Sequence, residues 1–161
     1  MNSRRSFGKR LAAAAALAIA LSAPLFGQAL EKKVVSFAAA RRMAEASREA
    51  ARAKGVAVVV VVVDDGGHVV LLERMDGAQV ASVNVGIGKA RTAAIYRRPS
   101  KVFEDQVRNG RVAALALADA TPLQGGIPIL LDGQVIGAIG VSGDTPQVDE
   151  DIAIAGAKAF P

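Results

Sequence analysis

The stretch Val56-Ala57-Val58-Val59-Val60-Val61-Val62-Val63-Asp64-Asp65-Gly66-Gly67-His68 decides the fold. Val56 to Val63 is apolar throughout, nearly all valine, with no polar alternation. β-Branched side chains at successive positions suit a strand buried on both faces rather than one with a wet side. Asp64-Asp65-Gly66-Gly67 then supplies turn residues, with glycine accepting the positive φ. His68 to Arg74 returns as a second strand, so the spacing predicts a hairpin.

Upstream, Ser36 is placed to cap a helix through Phe37, Ala40, Met43, Ala44 and Ala51 that ends at Gly55. Its charged positions (Arg41, Arg42, Glu45, Arg48, Glu49, Arg52) make a solvated face. Downstream, Val80 to Tyr96 has helical spacing interrupted by Gly86 and Gly88, and Ser100 is placed to cap a short helix reaching Gly110. Val112 to Gln124 fits a helix or a strand. Asp132-Gly133 joins Ile127–Leu131 to Gln134–Val141 as a second hairpin. Thr145 and Pro146 open a last helix, whose first turn carries Asp149, Glu150 and Asp151, where negative charge suits the dipole. Helix, two strands, helices, two or three strands and a helix make an α+β domain with an antiparallel sheet.

The N-terminus reads differently. Arg4, Arg5, Lys9 and Arg10 precede an uncharged apolar run from Leu11 to Phe26 and a small-residue exit at Gly27-Gln28-Ala29. These are the parts of a signal peptide over residues 1–29, leaving residues 30–161 as one domain in a periplasmic or secreted protein. The run is too short and too rich in alanine for a comfortable membrane span, so none is expected once the leader is cut. Ser3-Arg4-Arg5-Ser6-Phe7-Gly8-Lys9 resembles a twin-arginine signal, departing from it at Gly8. Such signals export folded chains, often with a cofactor in place.

Cleavage also corrects the charge. The chain has 20 basic and 15 acidic residues; removing four basic ones leaves 20 − 4 = 16 against 15. The alkaline balance therefore belongs mostly to the leader, and nucleic acid is not an expected partner. With no cysteine and one histidine, a structural or catalytic zinc site cannot be assembled. No phosphate-binding loop appears, and Ser142 lacks the setting of a catalytic nucleophile. Hydrophobic residues make up 52% of the chain but aromatics 4%, so small apolar side chains dominate. Part of such a surface is expected to be buried in a homo-oligomer.

Several blocks recur in one order: Val63 to His68, Arg74-Met75-Asp76-Gly77-Ala78, Gly88-Lys89-Ala90-Arg91-Thr92-Ala93, Gly125 to Ile129, Asp132 to Gly143, and Asp149-Glu150 with Ala153 and Gly156. With these blocks the chain resembles the GlcG/HbpS family of small haem-binding-type proteins over residues 36–160. The resemblance implies a five-stranded antiparallel sheet flanked by helices, assembly into dimers or larger rings, and binding of haem or a related tetrapyrrole. It also implies a link to redox sensing in some members. The family's haem-ligating histidine lies early in the domain, whereas the helix after Ser36 has none. The one imidazole, His68, is then the candidate iron ligand or a plain turn residue; Met75 and Tyr96 are further conceivable ligands.

Lys89 and Thr92 stand three apart on one side of a helix turn. With Arg74 they are candidates to hold an acidic ligand through charge-assisted hydrogen bonds. Gly125, Gly126, Ser142 and Gly143 are candidates to bring backbone N–H groups close to it. The plainer alternative is that Arg74 pairs with Glu73 or Asp76 and that the glycines only make turns. The leading expectation is an exported small-ligand-binding protein for haem or a related tetrapyrrole. The alternative is an enzyme acting on a small organic acid in a Lys89/Thr92/Arg74 pocket.

Overall fold

The computed structural model describes residues 31–161, of which Lys33–Pro161 form one compact unit. The leader expected over residues 1–29 lies outside the described residues. The order of elements is α1 (Phe37–Lys54), β1 (Val59–Asp64), β2 (Val69–Arg74), α2 (Ser82–Ile95), α3 (Lys101–Arg108), a 3₁₀ turn (Val112–Ala116), β3 (Gly126–Leu131), β4 (Gln134–Ser142) and α4 (Pro146–Lys158). The strands form an antiparallel sheet in the order β2-β1-β4-β3.

The valine run is the centre of the sheet, and its alternation sorts the core into two. Val58, Val60 and Val62 pack with Met43, Ala44, Ile152 and Ala153 of α1 and α4. Val59, Val61 and Val63 pack against Ala90, Ala93 and Ala94 of α2 on the opposite face. A strand with helices on both sides has no polar face to show, which is why the sequence does not alternate. Each valine so buried contributes on the order of 1.5 kcal/mol or more.

The helix ends follow their residues. Ser36 Oγ accepts from Ala39 N at 3.2 Å, and Thr145 Oγ1 accepts from Val148 N at 3.4 Å with Pro146 opening α4. At the β3–β4 turn Asp132 and Gly133 have φ of 51° and 76°, the paired left-handed conformation of a two-residue hairpin. Ser100 departs from expectation. It precedes α3 without a side-chain cap. Its hydroxyl instead donates to Leu123 O at 2.5 Å and accepts from Gly126 N at 2.9 Å.

The expected five-stranded sheet is corrected to four strands among the described residues. Val112–Ala116 closes into a 3₁₀ turn, and Asp119 takes a φ of 55°. The amides of Thr121 and Gln124 then donate to the side chains of Thr92 and Glu104, at 2.7 and 2.6 Å, instead of to a strand. The outer edge of β3 is also closed. Gly126 N–H and C=O both face Ser100. Two residues on, Pro128 points the same way and has no N–H to offer. At the far end, Val35 N donates to Ile136 O at 2.9 Å, a single bond beside β4 beyond the end of β1.

Candidate functional site

Lys89 and Ala90 stand three and four residues after Gly86 in α2, and Ala93 four and three after them, so this stripe faces the sheet. Lys89 therefore enters the interior. Its Nζ reaches Asp149 Oδ2 of α4 at 2.7 Å and Val141 O of β4 at 3.1 Å. The two side chains are 4% and 3% exposed, an ion pair removed from water. Asp149 Oδ1 also accepts from Asp144 N at 3.0 Å. Burial raises the Asp149 carboxyl above its ordinary value; the Lys89 hydrogen bond and the Asp144 amide offset this only in part.

Gly125 and Gly126 make room for the pair. A Cβ on Gly125 would stand 3.1 Å from Lys89 Nζ and 2.9 Å from Val141 O. A Cβ on Gly126 would be driven into the backbone carbonyl of Lys89. The ring of partners continues outward: Gln124 Nε2 donates to Glu150 Oε2 at 2.5 Å, and Gln147 Nε2 donates to Gln124 Oε1 at 3.2 Å. Thr92 is buried too, donating to Gly88 O at 2.7 Å while accepting from Thr121 N at 2.7 Å. Ser142 is buried at the end of β4, facing α2 near Gly86, and Gly143 lies against Ala57 and Val58. Lys89, Gly125, Gly126, Ser142 and Gly143 thus gather at one end of the sheet, and Asp149 joins them. In this arrangement the ammonium is committed to protein acceptors, and the cluster fastens α2, α4 and the start of β3 together.

Arg74 stands at the same end but on the edge strand. It and Ser142 both pair with Val59, which sets them two strand spacings, roughly 10 Å, apart. It is exposed, and its Nη2 donates to Ala78 O at 3.1 Å; neither Glu73 nor Asp76 is its ion-pair partner. Glu73 instead pairs with Arg48 of α1. Between α1 and the end of β2 opens a pocket of about 550 Å³, lined by Arg48, Arg52, Glu73, Arg74, Met75 and Asp76.

His68 lies at the opposite end of β2, exposed on the β1–β2 turn. Asp64 Oδ1 accepts from the backbone N–H groups of Gly66 and His68, each at 2.9 Å. A Cβ on Gly66 would be 3.1 Å from the imidazole; one on Gly67 would be 2.8 Å from Arg91 Cγ and 3.2 Å from Ile95 Cγ2. The turn therefore rests on α2, with His68, Val69, Arg91 and Ile95 around it. Six residues of strand, roughly 20 Å, separate His68 from Arg74, farther than haem iron stands from its own propionates. Met75 packs on the core, and Tyr96 OH donates to Ala118 O at 2.6 Å with its ring edge-on to Phe103.

Asp149 is the member of the cluster whose place in the first turn of α4 suits the helix dipole and so hides its pairing. A signal was present: 149, 152, 153 and 156 form one stripe, and the other three are apolar or glycine. A carboxylate on a buried stripe calls for a cation, and Lys89 sits on the buried stripe of another helix. Arg91, beside His68, carried no pattern that would have separated it from a solvated arginine.

These features define a small α+β domain, with helices on both faces of a four-stranded antiparallel sheet and a buried Lys–Asp pair at one end. The family model described as "Haem degrading protein HbpS-like" matches residues 35–158, and the chain belongs to that HbpS-like family. Protein GlcG of Escherichia coli K12 is 41% identical over 111 residues, covering 69% of this chain and 83% of that protein. A solved double mutant of Streptomyces reticuli HbpS is 29% identical, with a TM-score of 0.79 over 86% of this chain and 95% of that one. A structure of a PduOC–haem complex is 28% identical, with a TM-score of 0.72 over 78% and 94%.

Proposed function

We propose that the protein is an exported binder of haem or a related tetrapyrrole, with the ligand held at the His68 turn. The observation that carries this reading is the likeness to PduOC, which was solved as a complex with haem. Residues at the turn are of the kinds the group needs. His68 offers an exposed residue with an imidazole, Val69 and Ile95 offer apolar contact, and Arg91 offers a guanidinium of the kind that pairs with a propionate. Haem, when bound, supplies a redox-active iron centre, which is the basis for a role in redox sensing.

The chain's own part is positional. Asp64 fixes the turn through two amide hydrogen bonds and so fixes the backbone that carries His68. Arg91 Nε donates to Gly67 O at 3.3 Å, which ties the guanidinium to the same turn. One face of a planar ligand would be covered by this surface. A second copy of the chain supplies the other, for which Val69, exposed beside His68, offers apolar contact.

The test starts from the full chain expressed in a bacterium and recovered from the exported fraction. Intact mass is expected to show loss of residues 1–29. Titration with hemin is expected to give a saturable Soret shift at micromolar concentration, lost in His68→Ala and weakened in Arg91→Gln. No shift in the wild type overturns tetrapyrrole binding; a shift unchanged in His68→Ala overturns the turn as its site. The enzyme alternative draws no support from an arrangement in which Lys89 and Thr92 are buried with partners and Arg74 stands at the edge.

A further inference from the structure

The outer margin of β2 is unpaired among the described residues, and three observations say what fits it. The first is where its backbone groups point. Met75 N donates to Val58 O at 3.0 Å, and further along the same register Val59 pairs with Arg74 and Val61 with Leu72. Bonded and non-bonded pairs alternate in an antiparallel ladder, so the N–H and C=O of Leu72 and Arg74 face away from β1. Such a row of groups is a template for another strand. The usual guards are few: Val69–Arg74 carries neither proline nor lysine, and its bulge, at Val70, lies toward the His68 end.

The second observation is an incomplete layer. α2 packs on β1, β3 and β4 and leaves most of the same face of β2 uncovered. Val69 and Leu72, opposite Val63 and Val61, stand on that face. Val69 is 47% exposed and Leu72 only half-buried, whereas the valines they oppose are wholly buried.

The third is what the strand offers to a copy of itself. Two antiparallel registers bring the outward groups of Leu72 and Arg74 to outward groups of an identical strand. With the two-fold axis at Glu73, each Glu73 opposes the other, like charge against like. With the axis at Leu72, leucine opposes leucine, Val70 opposes Arg74 and Leu71 opposes Glu73. His68 is then carried toward the partner's Asp76, a pair of opposite polarity.

We propose that two copies of this chain join β2 to β2, antiparallel, about a two-fold axis at Leu72. Leu72 N–H donates to the partner's Leu72 C=O and the same bond is returned, while the two leucine side chains cover each other on the face that α2 leaves open. The joint needs no ligand, and it holds whether or not the His68 turn binds a tetrapyrrole.

The chain has no cysteine, so a single introduced thiol can form a disulfide only with its copy. Residues paired across such a ladder stand about 5.5 Å apart at Cα, within disulfide reach. The full chain, exported and purified without hemin, is compared with its variants by sedimentation velocity and by mild oxidation. Wild type is expected at an even multiple of the mass of one chain. Leu72→Cys is expected to cross-link at least about tenfold faster than Leu130→Cys, which is exposed on β3 and forms a disulfide only on chance encounter. Leu72→Pro removes an N–H that β1 does not use and is expected to halve the wild-type mass. A wild-type monomer, a folded Leu72→Pro variant of undiminished mass, or Leu72→Cys no faster than Leu130→Cys overturns the joint. Glu73→Cys cross-linking in place of Leu72→Cys overturns the register. If the proline variant does not fold, the cysteine rates decide.

Discussion

Replacing Lys89 by methionine removes the ammonium and keeps most of the side chain's length and apolar bulk. What is left is Asp149, almost without exposure, holding one amide hydrogen bond from Asp144 and no cation. An exposed pair would lose less than about 1 kcal/mol on such a change. A buried carboxylate stripped of its partner loses about 3–5 kcal/mol, because its desolvation is no longer compensated. That is about a fifth or more of the stability of an ordinary domain, roughly 5–15 kcal/mol. For a unit of this size it lowers Tm by roughly 10–20 °C. Urea unfolding followed by circular dichroism, with wild type and variant at one pH, measures it directly. Lys89→Met/Asp149→Leu is the necessary companion, since it removes both charges; most of the loss is expected to return, giving a coupling of about 2 kcal/mol or more. A single-variant loss below about 1 kcal/mol, or strictly additive losses in the double variant, would refute the account of a desolvated pair.

The remaining predictions are briefer. Gly126→Ala drives a methyl into the Lys89 carbonyl and to 2.9 Å from Ser100 Oγ, and is expected to cost about 3 kcal/mol or more. Gly133→Ala meets open space and pays only for its positive φ, about 1–2 kcal/mol, so thermal melts should rank the two in that order. Asp149 carries its own pH signature. Its folded pKa lies above the ordinary 3.8, so its contribution is full below that value and is lost as pH rises through the folded pKa. Measured against Asp149→Asn, wild-type stability should therefore decline as pH rises from about 3.8; an increase over that window contradicts the sign. Ser36→Ala removes the cap on α1 and should cost about 1 kcal/mol in the same unfolding assay.

Most of the fold was legible because local chemistry and burial agree. The valine run, the Asp132-Gly133 turn, the Ser36 and Thr145 caps and the glycine after α1 each fixed an element without reference to distant residues. Legibility ended where the deciding partner was far away in sequence. Ser100 looks like a cap, yet its hydroxyl serves Leu123 and Gly126. Val112 to Gln124 fits a helix or a strand by composition, but its amides at Thr121 and Gln124 are claimed by Thr92 and Glu104. The site divides in the same way. Lys89, Gly125, Gly126, Ser142 and Gly143 were picked out together and do gather at one end of the sheet. Asp149 was read as a helix-start charge because its cation lies sixty residues upstream. Arg74 and Lys89 share a charge type and an end of the sheet, yet β1 stands between the strand of Arg74 and β4, to which Lys89 is fastened.

The closed side of β3 has a consequence for how copies of this chain can join. With Ser100 occupying Gly126 and Pro128 lacking a donor, the described residues leave strand addition one landing place, the outer margin of β2. A sheet with two open margins stacks head to tail without limit. One with a single open margin can be doubled about a two-fold axis and is then complete. Because Ser100 and Pro128 close β3, a ring built from this domain would have to rely on helix and side-chain surfaces instead of on continued strand pairing.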